Sequence, residues 1–249
     1  MNTLTSKFVP AGRRGFSHNL KQKMEHVIAA RQKEVVAFKK EHANTVIGDV
    51  TVGAVMGGMR GLPGLQYETS KLDAVEGIAY RGHSLRDVQA KGPAAIKGGE
   101  PIPEGVLWLL LTGEFPSESE IKDFKEDLYK RGALTAAQEQ SIRSFPKEMH
   151  AMTQFSAGTL MCQPDSHFVK AYQGGVHKTK YWESTYEDAL DVCAKVSRIA
   201  ALVFHNKYGS GEMPARDSSL DYGANFANQL GFKDQKFWEL MRLYITIHA

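Results

Sequence analysis

The chain has 249 residues, of which 42% are hydrophobic and 24% are charged, so it can bury a sizeable core as one large domain or two small ones. Its formal net charge of +3 does not indicate a nucleic-acid-binding protein. Three of the 31 basic residues (Lys7, Arg13 and Arg14) lie in an acid-free start, and without them the basic residues equal the 28 acidic ones. A neutral body does not attract a phosphate backbone. The longest strongly apolar run, Val106–Leu111, is too short to cross a membrane.

The amino terminus has the composition of a mitochondrial transit peptide. The first acidic residue is Glu25, and the residues before it are basic and rich in hydroxyl groups, without a long apolar core. The tetrapeptide Arg14–Ser17 resembles a matrix-processing site with cleavage after Phe16. We therefore predict that residues 1–16 are a transit peptide and that the protein is in the mitochondrial matrix. The alternative is a basic tail with no targeting role.

The amino-terminal region predicts one helix followed by a β-hairpin. Apolar residues recur at three- and four-residue spacing over residues 20–43, which predicts a helix. Leu65–Thr69 alternates like a strand, Ile78–Arg81 is a second short candidate, and Lys71–Gly77 is the predicted turn. In this hairpin Arg81 is expected to pair with either Asp73 or Glu76.

The rest of the chain predicts a mainly α fold. Leu107–Leu111 is apolar on every side, which predicts a fully buried helix inside a sizeable helical body. Ser117–Glu120 and Thr135–Gln138 fit the capping box that begins many helices. Helices are predicted over 118–131, 136–144, 150–162, 186–208, 221–230 and from 234 onward.

The final run, residues 234–249, keeps helical apolar spacing and has no stop signal. We therefore expect these 249 residues to be the front part of a longer enzyme. Cys162 and Cys193 are the two cysteines, and we expect both to be core thiols in a reducing compartment. No CxxC or HExxH motif occurs, so no metal site can be argued from the sequence, and nothing else in it indicates a cofactor.

Two short motifs are candidate anion sites. Gly57–Gly61 combines glycines, whose amides can approach an anion closely, with Arg60, which can bind a phosphate through two parallel hydrogen bonds. His177–Trp182 places two lysines beside two aromatic residues, a set that can hold a phosphate and stack an adenine. The alternative for Gly57–Gly61 is a plain turn with a solvated arginine. The alternative for His177–Trp182 is a helix start with a solvated charged face.

Several strings of this sequence together resemble the citrate synthases, in particular the mitochondrial type. Each string is weak alone, but their order and spacing match the family over roughly residues 20–249. The strings are Gly57–Gly61, Tyr67–Ser70, Glu76–Gly82, Pro103–Leu111, Lys178–Glu183, Tyr186–Asp188 and Leu240–His248.

The resemblance implies a mostly α-helical, homodimeric acyltransferase whose large and small domains close over the substrates. The family condenses acetyl-CoA with oxaloacetate and water to give citrate and CoA, at the entry to the tricarboxylic acid cycle. Removing a weakly acidic methyl proton needs a base and a donor held together in a dry pocket. The alternatives are a 2-methylcitrate synthase, which uses propionyl-CoA, and a non-catalytic structural or interaction protein.

The resemblance also assigns two binding residues. Arg60 matches a family arginine that contacts CoA, and Lys178 matches a CoA-contacting position that is an arginine in animal relatives. Lysine keeps the charge but lacks the planar fork of arginine. The family's catalytic residues fall beyond Ala249, so no catalytic residue is assigned and we expect residues 1–249 alone to be inactive. Residues 17–249 are then expected to be the amino-terminal part of the large helical domain.

Overall fold

The computed structural model describes residues 18–62, 69–209 and 212–248. Within these ranges the chain is mainly helical with one small sheet, which confirms the predicted fold class. The α-helices described are α1 (His18–His42), α2 (Val52–Met56), α3 (Leu85–Lys91), α4 (Pro103–Thr112), α5 (Glu118–Arg131), α6 (Ala136–Arg143), α7 (Ala151–Leu160), α8 (His167–Gln173), α9 (Tyr181–Tyr208), α10 (Tyr222–Gln229) and α11 (Gln235–Ile247). Short 3-10 helices cover Gln163–Asp165 and Lys178–Lys180. None of the described helices has the length and apolarity needed to cross a membrane.

The sheet is antiparallel and has three strands in the order β1 (Ser70–Asp73), β2 (Gly77–Tyr80) and β3 (His83–Ser84). The predicted hairpin therefore exists, and its second strand is confirmed. The predicted strand at Leu65–Thr69 lies almost wholly outside the described residues.

The predicted turn at Lys71–Gly77 is wrong at both ends, because Lys71 pairs with Ala79 and Asp73 pairs with Gly77. The side chain of Asp73 explains the tighter turn. Its carboxylate accepts hydrogen bonds from the amides of Val75 (2.8 Å) and Glu76 (3.0 Å), which closes the turn locally.

Arg81 does not pair with either predicted acid. Its φ of 50° lies in the left-handed region, and its side chain turns towards the end of α4. There the guanidinium donates to the carbonyl of Leu110 at 2.8 Å. The charged residue therefore ties the sheet to α4 instead of closing the hairpin.

Both predicted capping boxes are confirmed. Ser117 and Glu120 begin α5, and Thr135 and Gln138 begin α6, each pair with its reciprocal side-chain and backbone hydrogen bonds. A third box begins α3, where Ser84 bonds to Asp87. These hydrogen bonds from Ser84 lower the pKa of the Asp87 carboxyl to about 2.

Among the residues that the structure describes, the hydrophobic core forms three clusters, and each includes residues of α4 or α9. The first joins α1, α4, α5 and α9, and in it Trp108 meets Phe124 edge-on at 5.7 Å. The second lies between the sheet and α4, and the third lies between α6, α7 and α9. The 28-residue α9 begins at Tyr181, five residues before its predicted start, and takes part in two of the clusters.

Two predictions about burial need correction. Trp108 and Leu109 of α4 are buried, but Leu107, Leu110 and Leu111 are only half-buried, so α4 is not covered on every side. Cys162 is half-buried beside the third cluster, whereas Cys193 is exposed and is therefore not a core thiol. The half-buried leucines and the exposed Cys193 show that one side of the α4–α9 pair is not fully covered by the described residues.

A charged cluster fixes α5 against α9. The guanidinium of Arg131 donates to Asp127, Glu187 and Asp191, each at 2.7 Å. Burial lowers the pKa of Arg131, but its three carboxylate partners outweigh that effect and raise it. Lys21 of α1 also bonds to Glu187 at 2.7 Å, so the same cluster holds three helices together.

Candidate functional site

Arg60 lies in a glycine-rich turn that ends α2. The amide of Met59 donates to the carbonyl of Ala54 at 2.7 Å, and Gly58 has a φ of 76°, as expected for a helix that ends in a left-handed glycine. Met59 also has a positive φ, 63°, which is uncommon for a residue with a side chain.

This turn leaves the Arg60 side chain exposed. Among the residues that the structure describes, it has no hydrogen bond or ion pair, and the backbone amides of Arg60 and Gly61 have no acceptor. An uncommitted guanidinium beside uncommitted amides is a donor set that suits a phosphate. The described residues thus leave the donors of the predicted anion site without other contacts.

Lys178 lies in the 3-10 helix immediately before α9. His177 begins this helix and accepts a hydrogen bond from the amide of Thr179 at 3.4 Å. Lys178 is exposed and has no charged partner in the described part of the chain, whereas its neighbour Lys180 pairs with Glu183 at 3.0 Å. Of the two lysines in the motif, Lys178 is the one available to an external anion.

The aromatic residues of this motif are arranged differently from the prediction. Trp182 packs against the first core cluster, so it is not free to stack on a ligand. Tyr181 instead contacts Phe168 and Tyr172 of α8, with ring centroids 5.1 Å and 6.2 Å away. Tyr172 is exposed and contacts Tyr181, which belongs to the lysine motif. Sequence reasoning did not identify it, because α8 was not predicted.

Arg60 and Lys178 lie on separate elements. Arg60 follows α2, Lys178 precedes α9, and no hydrogen bond or ion pair joins them in the described residues. No group of three potential metal ligands occurs in the described residues either. The candidate binding residues are thus two separate exposed cations.

Apart from the two exposed cations, a group of buried polar side chains lies where α10 begins. Asp221 caps this helix by accepting from the amides of Gly223 (3.1 Å) and Ala224 (3.2 Å). Its other oxygen accepts from the guanidinium of Arg242 on α11 at 2.6 Å, and both side chains are 2% exposed. This buried ion pair fixes α11 against the start of α10.

Glu104 of α4 joins the same group of side chains. Its Oε1 accepts from the amide of Tyr222 at 2.7 Å, while its Oε2 is buried without a hydrogen-bond partner. Burial, and to a smaller extent the charge of nearby Asp221, raises the pKa of the Glu104 carboxyl from 4.5 to about 7. Glu104 is therefore a buried carboxyl that releases its proton only near neutral pH.

Two further hydrogen bonds hold α11 in place. Tyr80 of β2 is completely buried, and its hydroxyl donates to the carbonyl of Thr246 at 2.8 Å. Burial raises the pKa of Tyr80 to about 12, so the phenol stays protonated and can donate. At the other end of α11, Glu239 accepts from the amide of Glu100 at 2.6 Å.

The comparisons with known proteins identify the family. The family model described as citrate synthase, C-terminal domain, matches residues 58–249. Citrate synthase 4, mitochondrial, from Arabidopsis thaliana is 46% identical over 231 residues, which are 93% of this chain and 49% of that protein. Citrate synthase, mitochondrial, from Xiphias gladius is 45% identical over 234 residues, 94% of this chain and 50% of that protein.

The chain therefore belongs to the citrate synthase family, as the motifs predicted. It spans about half the length of the curated relatives that it matches. These relatives carry the word mitochondrial in their names, which confirms the predicted localisation at the level of the family.

Solved structures agree on the fold. Citrate synthase from Pyrobaculum aerophilum matches with a TM-score of 0.66 at 21% identity, covering 82% of this chain and 50% of that one. The enzyme from Thermotoga maritima matches with a TM-score of 0.55 at 18% identity, covering 76% and 45%. At these identities the likeness establishes the helical fold alone.

Glu104 generates a pH prediction for the stability of this chain. Its folded-state pKa lies above its unfolded value, so between about pH 4.5 and pH 7 the folded state holds a proton that the unfolded state has released. The free energy of unfolding should therefore fall as pH rises through this window, by on the order of 3 kcal/mol from this group.

Glu104→Gln removes the titrating group and keeps the shape of the side chain. Urea unfolding at pH 5, 6, 7 and 8 should show the variant and the original chain with similar stability at pH 5, and the variant more stable at pH 8. A difference between the two chains that does not change with pH contradicts the prediction.

Proposed function

We propose that this chain is the amino-terminal half of a mitochondrial enzyme that condenses acetyl-CoA with oxaloacetate and water to give citrate and CoA. The observation that carries the proposal is the identity of 44–48% to relatives named as mitochondrial citrate synthases, extending over 89–94% of the chain. The chain supplies part of the large helical domain, and the groups that transfer protons belong to the other half.

In this proposal Arg60 and Lys178 hold the anionic part of CoA. Both are exposed cations without a charged partner in the described residues, so binding a phosphate breaks no existing ion pair. Arg60 has the additional support of a planar fork and nearby uncommitted amides. Lys178 offers a single flexible charge, and we expect its contribution to be smaller.

A homodimer is also part of the proposal, and the amino-terminal segment supports it. Helix α1 is anchored in the core at Leu20, but its second half and the following segment expose many apolar side chains. Apolar surface concentrated in this way marks an interface. The exposed residues are Val35, Val36, Phe38, Val46, Ile47, Val50, Val52, Val55, Met56 and Met59. We propose that a second copy of the protein covers them, and sedimentation of the full-length enzyme tests this.

Residues 1–16 lie outside the described residues and are proposed as the import signal. Their basic, acid-free composition supports this role. The matrix form of the protein should begin near Ser17, and amino-terminal sequencing of protein recovered from mitochondria checks the cleavage site.

The first functional prediction concerns activity. Residues 1–249 alone should release no thiol from acetyl-CoA in the presence of oxaloacetate. A chimera, in which this chain continues into the unmatched carboxyl-terminal half of Arabidopsis citrate synthase 4, should be active. A chimera that folds but has no activity contradicts the proposal. In the native full-length enzyme, turnover that is faster with propionyl-CoA than with acetyl-CoA favours a 2-methylcitrate synthase instead.

The second functional prediction concerns Arg60. In the active chimera, Arg60→Ala should raise the KM for acetyl-CoA about tenfold with little change in kcat, because a charge-assisted contact to the substrate is lost in ground and transition states alike. The KM for oxaloacetate should not change. A rise in the oxaloacetate KM alone contradicts the assignment of Arg60 to CoA.

Lys180, which lies in the same 3-10 helix, is a matched control for Lys178. Lys178→Ala should raise the acetyl-CoA KM less than Arg60→Ala does, and Lys178→Arg should lower it, because a guanidinium restores the planar fork. Lys180→Ala removes an equal charge that already pairs with Glu183, and should leave both KM values unchanged. Equal effects of the two alanine variants would indicate a general electrostatic attraction rather than a contact at Lys178.

A further inference from the structure

A small cavity lies where α5, α9 and α10 meet. Two basic side chains line it, Lys125 of α5 and Arg216 of the segment between α9 and α10. The volume of the cavity is about 20 Å³. One water molecule needs about 10–15 Å³ measured in this way. The cavity can therefore hold one small particle, and it is too small for a phosphate or a carboxylate group.

The guanidinium of Arg216 is held in place at this cavity. Its Cζ lies 4.1 Å from the centre of the Tyr129 ring, and its Nη2 donates to the carbonyl of Tyr129. The backbone that carries it is fixed to α10, because the amide and carbonyl of Asp217 each bond to the side chain of Asn225, at 2.9 Å and 2.6 Å. Arg216 is thus not a freely moving surface side chain.

Gly132, at the end of α5, leaves the room that this guanidinium occupies. A Cβ at Gly132 would lie 2.8 Å from Nη2 of Arg216 and 2.7 Å from the carbonyl oxygen of Ala194. The φ of Gly132 is −72°, which any residue can adopt. Space, and not backbone conformation, therefore requires a glycine at this position.

Neither of the two cations has an acidic partner. Arg216 and Lys125 form no ion pair with any of the described residues, and Nε and Nη1 of Arg216 have no acceptor among them. Arg198, which pairs with Glu139, adds a further positive charge nearby. Burial lowers the pKa of Arg216, and the charge of Arg198 acts in the same direction. The surroundings thus disfavour the charge on Arg216, and a bound anion would compensate it.

Glu104 is the acidic residue of the cavity lining, and it does not serve as the counter-ion. It forms no ion pair with Lys125 or Arg216 in the described residues, and its Oε1 accepts from the amide of Tyr222 at 2.7 Å. Because the pKa of Glu104 is raised to about 7, its carboxyl is mostly uncharged at pH 6. At that pH the charge on the cavity lining is positive.

We propose that this cavity binds one halide ion, chloride being the halide available in cells, and that Arg216 and Lys125 hold it. The bound ion would tie the segment before α10 to α5. The competing occupant is a water molecule. The lining belongs entirely to this chain, so the inference is independent of the proposed function.

Chloride should therefore stabilise the folded protein in a saturable way. The thermal unfolding midpoint of the full-length protein is measured at pH 6 while sodium chloride replaces sodium gluconate, whose anion is too large for the cavity. The ionic strength is kept constant, so general screening does not change. The midpoint should rise and then level off, because a ligand that binds the folded state shifts the equilibrium towards it. A midpoint that does not respond to chloride indicates a bound water and overturns the inference.

Charge variants separate a specific contact from general attraction. Arg216→Gln should raise the chloride concentration for the half-maximal shift about tenfold, because a charge-assisted contact is lost. Lys125→Gln should have a smaller effect in the same direction. Lys122→Gln removes an equal charge one turn earlier on α5, outside the cavity lining, and should have no effect. Equal effects of the Lys122 and Lys125 variants contradict the inference.

Gly132→Ala tests the geometry without changing any charge. Its Cβ displaces the Arg216 guanidinium, so the chloride response should weaken about as much as in Arg216→Gln. The response compares two salts in the same variant, and a general loss of stability therefore cancels. An unchanged response in Gly132→Ala means that the guanidinium does not hold the ion at this place.

Bromide locates the site, because it scatters X-rays anomalously. In crystals of the full-length protein grown in sodium bromide, an anomalous peak should lie in the cavity within hydrogen-bonding distance of Arg216. The same peak should be absent from Arg216→Gln. A peak that appears only at molar bromide, in a protein whose midpoint does not respond to chloride, is an adventitious ion only and overturns the inference.

Discussion

The arrangement of α4, α10 and α11 depends on the buried ion pair between Asp221 and Arg242. Asp221 also satisfies the first amides of α10, and Glu104 satisfies another amide at the same place. Two carboxyl groups and one guanidinium are thus withdrawn from water at a single helix start. Such an arrangement is tolerated only when its hydrogen bonds are well made, since removing one partner leaves an uncompensated charge. The positions of the three helices are therefore set by polar geometry as much as by apolar packing.

The same physical logic explains what sequence reasoning recovered. Capping boxes and long amphipathic helices are encoded by residues within a few positions of one another, so α5, α6, α9 and α11 were predicted. The short helices α2, α3 and α8 were missed because each has only five or seven residues, too few to show a periodic pattern. The hairpin turn was misplaced because the Asp73 side chain closes it within three residues, a contact that the alternation of strand residues does not reveal.

The sequence likewise suggests only some residues of the candidate site. Arg60 and Lys178 could be proposed as binding residues because short motifs carry them, and the structure leaves both exposed. The buried polar group was not found, because Glu104 meets the amide of Tyr222 across 118 positions of sequence. Asp221 was visible only as a possible helix start, and Glu104 lay within a string that reads as apolar. No local sequence pattern indicates that Glu104 and Asp221 lie in the same site.

Two exposed features of the described residues remain without a partner, and each requires a different one. The exposed cations Arg60 and Lys178 suit an anionic ligand, which cannot cover apolar surface. The apolar segment from Val35 to Met59 is too extended for a small ligand and suits a second protein surface. Ligand and second copy are thus separable by chemistry, and a variant at one of these surfaces should leave contacts at the other intact.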